Sequence, residues 1–148
     1  RSKSVGGLDF QSSGCSPDDV VTGNAMPPAR LLIIDDETAL LELLRRYLVR
    51  IGFDVTSTPD PAQGMGHLAQ NPESFQLVVL DLNLPGVSGE QLLETILADY
   101  ERIRVLVSSG YPFSKEKLPV QLHQRVGFLQ KPYTPKMLGE AVQSLLAQ

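Results

Sequence analysis

A chain of 148 residues with 42% hydrophobic and 20% charged side chains has the material for one buried core but not two. Its formal net charge of −4 argues against nucleic acid or an anionic membrane surface as the main partner. No apolar run approaches the roughly 18 residues of a membrane span. The lone Cys15 cannot close an internal disulfide and nothing resembles a secretory signal. The expected setting is therefore a reducing cytoplasm, even for a parent protein anchored in a membrane.

Residues 1–29 carry five Ser, four Gly and three Pro without periodicity. So little apolar surface cannot offset the entropy of ordering, and the stretch reads as linker, tag remnant or disordered leader. Regular patterning starts at Arg30, and residues 30–148 read as the domain. A strand over 31–34 runs into Asp35, Asp36 and Glu37. Leu40, Leu43, Leu44, Tyr47, Leu48 and Ile51 then recur at helical spacing and predict an inward face. A second strand over 53–55 precedes a helix weakened by Gly64 and Gly66. The third strand, 77–80, ends on Asp81 and is followed by a helix with Leu92, Leu93, Ile96 and Leu97 on one side. The fourth strand, 103–107, runs into Ser108 and Ser109. Pro119 in the middle of 115–124 predicts a short or irregular helix there. The fifth strand, 127–129, ends on Gln130 and Lys131. Pro135 opens the last helix, whose stripe holds Met137, Leu138, Ala141, Val142, Leu145 and Leu146.

Alternation of five strands with five helices implies an α/β fold, a doubly wound parallel sheet covered on both faces. In such a sheet a site lies outside the carboxyl ends of the strands, near the reversal of strand order. Asp35 and Asp36, Asp81, the serine pair and Lys131 all fall at that edge. Crowded carboxylates repel one another, and a divalent hard cation together with a Lys ammonium relieves the repulsion. The chemistry that uses these parts is phosphoryl transfer. Asp81 is the candidate nucleophile, making an acyl phosphate. Asp36, Asp35 (directly or through water) and the backbone carbonyl of Asn83 are candidate ligands of Mg²⁺ or Mn²⁺, together with Asp81 itself. Ser109 is placed to donate to a phosphoryl oxygen and Lys131 to neutralise another. Gly110 leaves room for an incoming donor.

Blander roles compete for each residue. Asp36 can be read as a helix cap, with Glu37 adding favourable first-turn charge. Asp81 can be read as a turn Asp ahead of Pro85 and Gly86. Ser108 is the alternative to Ser109, and Lys131 before Pro132 can be a surface lysine at a turn. His67 and His123 are isolated and suggest neither a ligand nor a phosphorylated histidine.

The segments LLIIDDE, VVLDLNLPGVSG, VLVSSGY and GFLQKPYTP resemble the four signature stretches of the response-regulator receiver family, over residues 30–148. Order and spacing agree as well, with Asp81 45 residues after Asp36, Ser109 28 further and Lys131 22 further. The resemblance implies a flavodoxin-like sheet ordered 2-1-3-4-5 and a cis peptide before Pro132 that aims Lys131 inward. It also implies a switch in which Ser109 moves toward the phosphoryl group and the aromatic at Phe128 turns inward. The output face would be the fourth helix, fifth strand and fifth helix. The implied donor is a histidine kinase or a histidine phosphotransfer domain, docking near the first helix and the Asp81 loop; no direct nucleic acid or membrane contact is expected, and the domain is expected to be a monomer or weak dimer.

Two other functions share parts of this pattern. A haloacid-dehalogenase-type phosphatase places its nucleophile first and its acidic pair last, the reverse of the order here. A phosphorylation-independent interaction module on the same fold would not need the full set of acid, hydroxyl and lysine. Nucleotide-binding folds lack support, because Asp35 and Asp36 stand where a Gly-rich phosphate loop would be. The chain opens on Arg1, and 17 residues follow Lys131. It is expected to be a stand-alone receiver or, by the phrasing of VLVSSGYPFSKE and VGFLQKPYTPKML, the carboxyl-terminal receiver of a hybrid sensor histidine kinase.

Overall fold

Arg30, at the start of the first strand, already pairs with Asp54 across the sheet edge, its Nε 3.4 Å from Asp54 Oδ2. A computed structural model describes residues 28–147; the reading of residues 1–27 as a leader lies outside them. The strands are β1 (Arg30–Ile34), β2 (Asp54–Thr58), β3 (Leu77–Asp81), β4 (Arg104–Ser109) and β5 (Val126–Gln130). All pair in parallel, in the order β2-β1-β3-β4-β5 expected of the doubly wound sheet.

Side chains alternate across the sheet with the period of two that a strand imposes. Leu31 and Ile33 of β1, Leu77 and Val79 of β3 and Leu106 of β4 face one layer. There they meet Leu41, Leu44 and Leu48 of helix α1 (Thr38–Arg50) and Leu138, Val142 and Leu145 of α4 (Pro135–Leu146). Leu32, Ile34, Val78, Leu80, Val105 and Val107 face the other layer. Leu68 of α2 (Pro61–Gln70) and Leu93, Ile96 and Leu97 of α3 (Gly89–Asp99) cover them. Two apolar faces account for the near-continuous Val, Ile and Leu runs of the central strands.

Several expectations need correction. The second strand starts at Asp54 rather than Phe53 and continues through Thr56, Ser57 and Thr58, a polar, half-buried edge strand. Leu43 on α1 and Ile51 just past its end are exposed and Leu41 is buried, so the buried stripe lies slightly round the helix from the one expected. Met137 on α4 is exposed as well. Gly64 and Gly66 do not prevent α2, which opens on Pro61 with the Asp60 side chain accepting from the Ala62 N–H. Gly64 is there for packing, since a Cβ would lie 2.5 Å from Ile34 Cδ1.

The fourth crossover is the short, irregular element that Pro119 predicts. Two 3₁₀ turns, Lys115–Lys117 and Val120–Arg125, replace a regular α-helix. Its far end is fixed by Arg125. The guanidinium donates to the carbonyls of Leu97, Tyr100 and Ile103, the first two at the C-terminus of α3, where carbonyls lack helical partners. Arg125→Ala is expected to lower stability by about 2 kcal/mol, because it orphans several carbonyls at once. Arg125→Lys should recover less than half of that, since one ammonium cannot match the fork. Urea denaturation of the three proteins measures both.

Candidate functional site

The ladders align the carboxyl ends of the strands and run one residue beyond them. The Asp35 N–H donates to the Thr58 carbonyl (3.2 Å), the Leu82 N–H to Ser108 (3.0 Å) and the Lys131 N–H to Ser109 (2.8 Å). Strand order reverses between β1 and β3, so Asp35 and Asp81 flank the switch point.

The two buried aspartates are used in the same way. Asp35 Oδ1 accepts the Glu37 N–H at 2.9 Å, and Asp81 Oδ1 accepts the Asn83 N–H at 2.9 Å, each fixing its own turn. Their Oδ2 atoms both face Lys131 Nζ, at 3.2 Å and 3.3 Å. The turn reading of Asp81 is thus half of the truth: one oxygen holds the loop and the other belongs to the cluster. Asp36, exposed, completes a group in which one carboxylate oxygen from each of Asp35, Asp36 and Asp81 lies within 4.8 Å of the others. Capping does not explain the acidic pair, because the N-cap position of α1 is Glu37 and no side chain caps it.

Electrostatics follow from this crowding. Burial raises the Asp35 pKa, and the neighbouring Asp81 charge adds to the rise; the Glu37 N–H and Lys131 offset them only in part. Burial alone would lower the Lys131 pKa, but the hydrogen bond to Glu37 and the charges of Asp35 and Asp81 outweigh it and raise it. The two directions agree physically: the ammonium gains from three carboxylates, while Asp35 receives only a share of one ammonium. The donor set, hard oxygens with too little positive charge among them, suits Mg²⁺ or Mn²⁺.

Strand alternation turns the two serine hydroxyls to opposite sides. Ser108 points to the α1/α4 side, its Oγ 3.4 Å from Tyr133 Oη. Ser109 points to the other side, donating to Asn83 Oδ1 at 3.1 Å and accepting from the Tyr111 N–H at 3.0 Å. Ser109 therefore stands on the Asp81 loop and Ser108 does not. Open space surrounds Gly110, where a Cβ would meet nothing within 4 Å. The Lys131–Pro132 peptide is cis. Phe128 is half-buried and lies against Phe113, ring centroids 6.0 Å apart and planes tilted by 37°; Phe113 in turn lines a cavity of about 190 Å³ with Ser109 and Asn83. Three partners went unread in the sequence: the Asn83 side chain, Tyr133 and the Glu37 carboxylate, which lies 2.9 Å from Lys131 Nζ. Their roles depend on contacts across 26, 25 and 94 residues, for which no local signal exists.

Residues 31–143 match the family model for the response regulator receiver domain. The chain belongs to that family. This receiver is 30% identical to the transcriptional activator protein PfeR of Pseudomonas aeruginosa, over 82% of the chain and 39% of the relative. It is 29% identical to the response regulator protein FleR of the same organism, over 77% of the chain and 24% of the relative. The receiver thus spans well under half the length of these curated relatives. Among solved structures, a CheY-like receiver from Methanospirillum hungatei superposes with a TM-score of 0.69 at 26% identity, covering 81% of this chain and 94% of that one. The receiver domain of the hybrid histidine kinase CckA gives 0.67 at 27%, covering 80% and 99%. Membership makes the domain a phosphoacceptor module of two-component signalling and removes the ground for the phosphatase reading. Among the described residues no helix is long and apolar enough to cross a membrane.

Proposed function

We propose that Asp81 of this receiver accepts the phosphoryl group of a phosphohistidine. The observation that carries the reading is the shared aim of Asp35 Oδ2 and Asp81 Oδ2 at Lys131 Nζ, beside Asp36, at the switch point of the sheet. An oxygen of Asp81 attacks phosphorus in line, the P–N bond to the donor's imidazole breaks, and the ring, already protonated on its other nitrogen, leaves as neutral imidazole, giving an acyl phosphate. Lys131 turns its ammonium to one new phosphoryl oxygen and the Ser109 hydroxyl to another. Asp35, Asp36, Asp81 and the backbone carbonyl of Asn83 would hold Mg²⁺, which when bound neutralises charge between the carboxylates and the phosphoryl group. Ser109 and Phe128 form the switch: drawing the Ser109 hydroxyl toward the phosphoryl group takes it from Asn83 and from the Tyr111 N–H, and the latter bond holds the loop that carries Phe113, the ring beside Phe128. The donor, a histidine kinase or phosphotransfer domain, docks over α1 and the Asp81 loop, and the setting of this exchange is the cytoplasm. The likeness to the CckA receiver supports a place in a hybrid kinase.

Incubation with acetyl phosphate and Mg²⁺ is expected to add one phosphoryl group per chain. Chelating the metal should slow uptake by about tenfold or more, since the carboxylates then repel the donor unaided, and Mn²⁺ should restore it. No uptake by the parent protein would favour the interaction-module reading. Steady release of phosphate from many phosphomonoesters would favour a phosphatase.

A further inference from the structure

Lys131 has three carboxylate partners, and the shortest contact is to the residue outside the acidic group described above. Nζ is 2.9 Å from Glu37 Oε1, against 3.2 Å and 3.3 Å for Asp35 and Asp81. The ammonium donates to Glu37 and Asp81 and is paired in charge with Asp35. Two are fixed: the Asp35 and Asp81 side chains are 3% and 2% exposed, and each is pinned by a turn bond at its other oxygen. The Glu37 side chain is 59% exposed. Although Glu37 occupies the N-cap position of α1, its carboxylate caps nothing and reaches across to Lys131 instead.

With Asp35 and Asp81 buried and Glu37 exposed, a phosphoryl group added to Asp81 has to find its room toward the exposed side of the cluster. That is the side on which Glu37 meets Lys131. We infer that Glu37 is a positioning residue, an internal anion that occupies the place of a phosphoryl oxygen on Lys131 and must leave when Asp81 is modified. The inference rests on the phosphoacceptor reading of Asp81. Glu37 then sets how readily the site fills: it keeps Lys131 oriented while the site is empty, and it competes with the incoming group through both contact and like charge.

The test uses fluoroberyllate, a non-covalent phosphoryl analogue, titrated at saturating Mg²⁺ and followed by ¹⁹F NMR on the parent, Glu37→Gln and Glu37→Asp. Glu37→Asp keeps the charge but is one methylene too short to hold the contact. Both variants are expected to bind the analogue about three- to fivefold more tightly, the fold-change that matches losing an exposed ion pair. Phosphorylation by acetyl phosphate should speed up in the same order. Variants that bind like the parent, or more weakly, overturn the assignment of Glu37 and leave Asp81 as acceptor. Tighter binding by Glu37→Gln with Glu37→Asp unchanged overturns it too, in favour of a simple field effect. A parent that binds no analogue at all overturns the phosphoacceptor reading beneath it.

Discussion

Asp81→Asn is expected to end phosphoryl uptake and, in the absence of metal, to make the domain more stable. An amide is no nucleophile, so the acyl phosphate cannot form. The Asn carbonyl can still accept the Asn83 N–H that now goes to Asp81 Oδ1, so the loop keeps its turn. What disappears is one of three negative charges held within 4.8 Å of one another. Asp35 reports the strain of that arrangement, with a pKa raised above its ordinary 3.8 by burial first and by the Asp81 charge as well. A group that binds its proton more tightly when folded withdraws stability as pH rises from its unfolded value through its folded one. The gain from Asp81→Asn should therefore be present at neutral pH and shrink as Asp35 becomes protonated. About 1 kcal/mol, or roughly 3 °C in Tm, is the expected size. Thermal melts at neutral and acid pH in chelator measure it. Added Mg²⁺ should reverse the order, because it stabilises the parent more. A variant that melts below the parent in chelator would show that the acidic cluster is not under strain.

Gly89→Ala should produce the largest loss of stability of any single methyl addition in the described chain. Gly89 is the first residue of α3, directly after Ser88, whose side chain caps the helix by accepting the Gln91 N–H. A Cβ there would stand 2.5 Å from Leu82 Cα, 2.6 Å from Leu82 O and 2.8 Å from Leu82 C. These are backbone atoms and cannot rotate away. Leu82 is also tethered, its N–H donating to the Ser108 carbonyl. Either α3 lifts off the sheet or the Asp81 loop shifts. The expected loss is about 3 kcal/mol, the upper end for overpacking, or roughly 10 °C in Tm. Phosphorylation should slow as well, although Gly89 touches none of the reacting groups, because the displaced loop carries Asn83. Gly66→Ala is the internal comparison. It lies in α2 with nothing within 4 Å of the new methyl, and it should stabilise by about 0.5–1 kcal/mol through helix propensity. Equal effects from the two substitutions would show that the approach of α3 to Leu82 is not as tight as described.

The contrast between these glycines marks where sequence reading stops. Gly66 and Gly89 both sit in helical patterns and both look like helix breakers, yet of the two only Gly89 is required by a neighbour. The central strands were legible because burial on both faces leaves no polar position to confuse the pattern. The second strand was legible only at its start, since an edge strand tolerates Thr56, Ser57 and Thr58. Thr58 is buried nonetheless, its hydroxyl bonded to Gln63 and the Asp60 N–H. On α1, apolar residues are dense enough to draw more than one stripe, so Leu43 was expected inside and Leu41 was not. At the site, Asp35, Asp36, Asp81 and Lys131 could be found because each directly ends or follows a strand. Glu37 could not: an acid at the start of a helix is ordinary, and its pairing with a lysine 94 residues away is set by the tertiary fold.

Reductive trapping of the modified residue bears most directly on the central claim. The full chain is treated with acetyl phosphate and Mg²⁺, and the acyl phosphate is then reduced with borohydride, which converts a modified aspartate to homoserine. The digested protein is read by peptide mass spectrometry. Homoserine at position 81 alone, reduced by about tenfold or more in a sample prepared in chelator, is the predicted result. Homoserine at Asp35 or Asp36, a stable phosphate on Ser109, or no modification with metal present would contradict it.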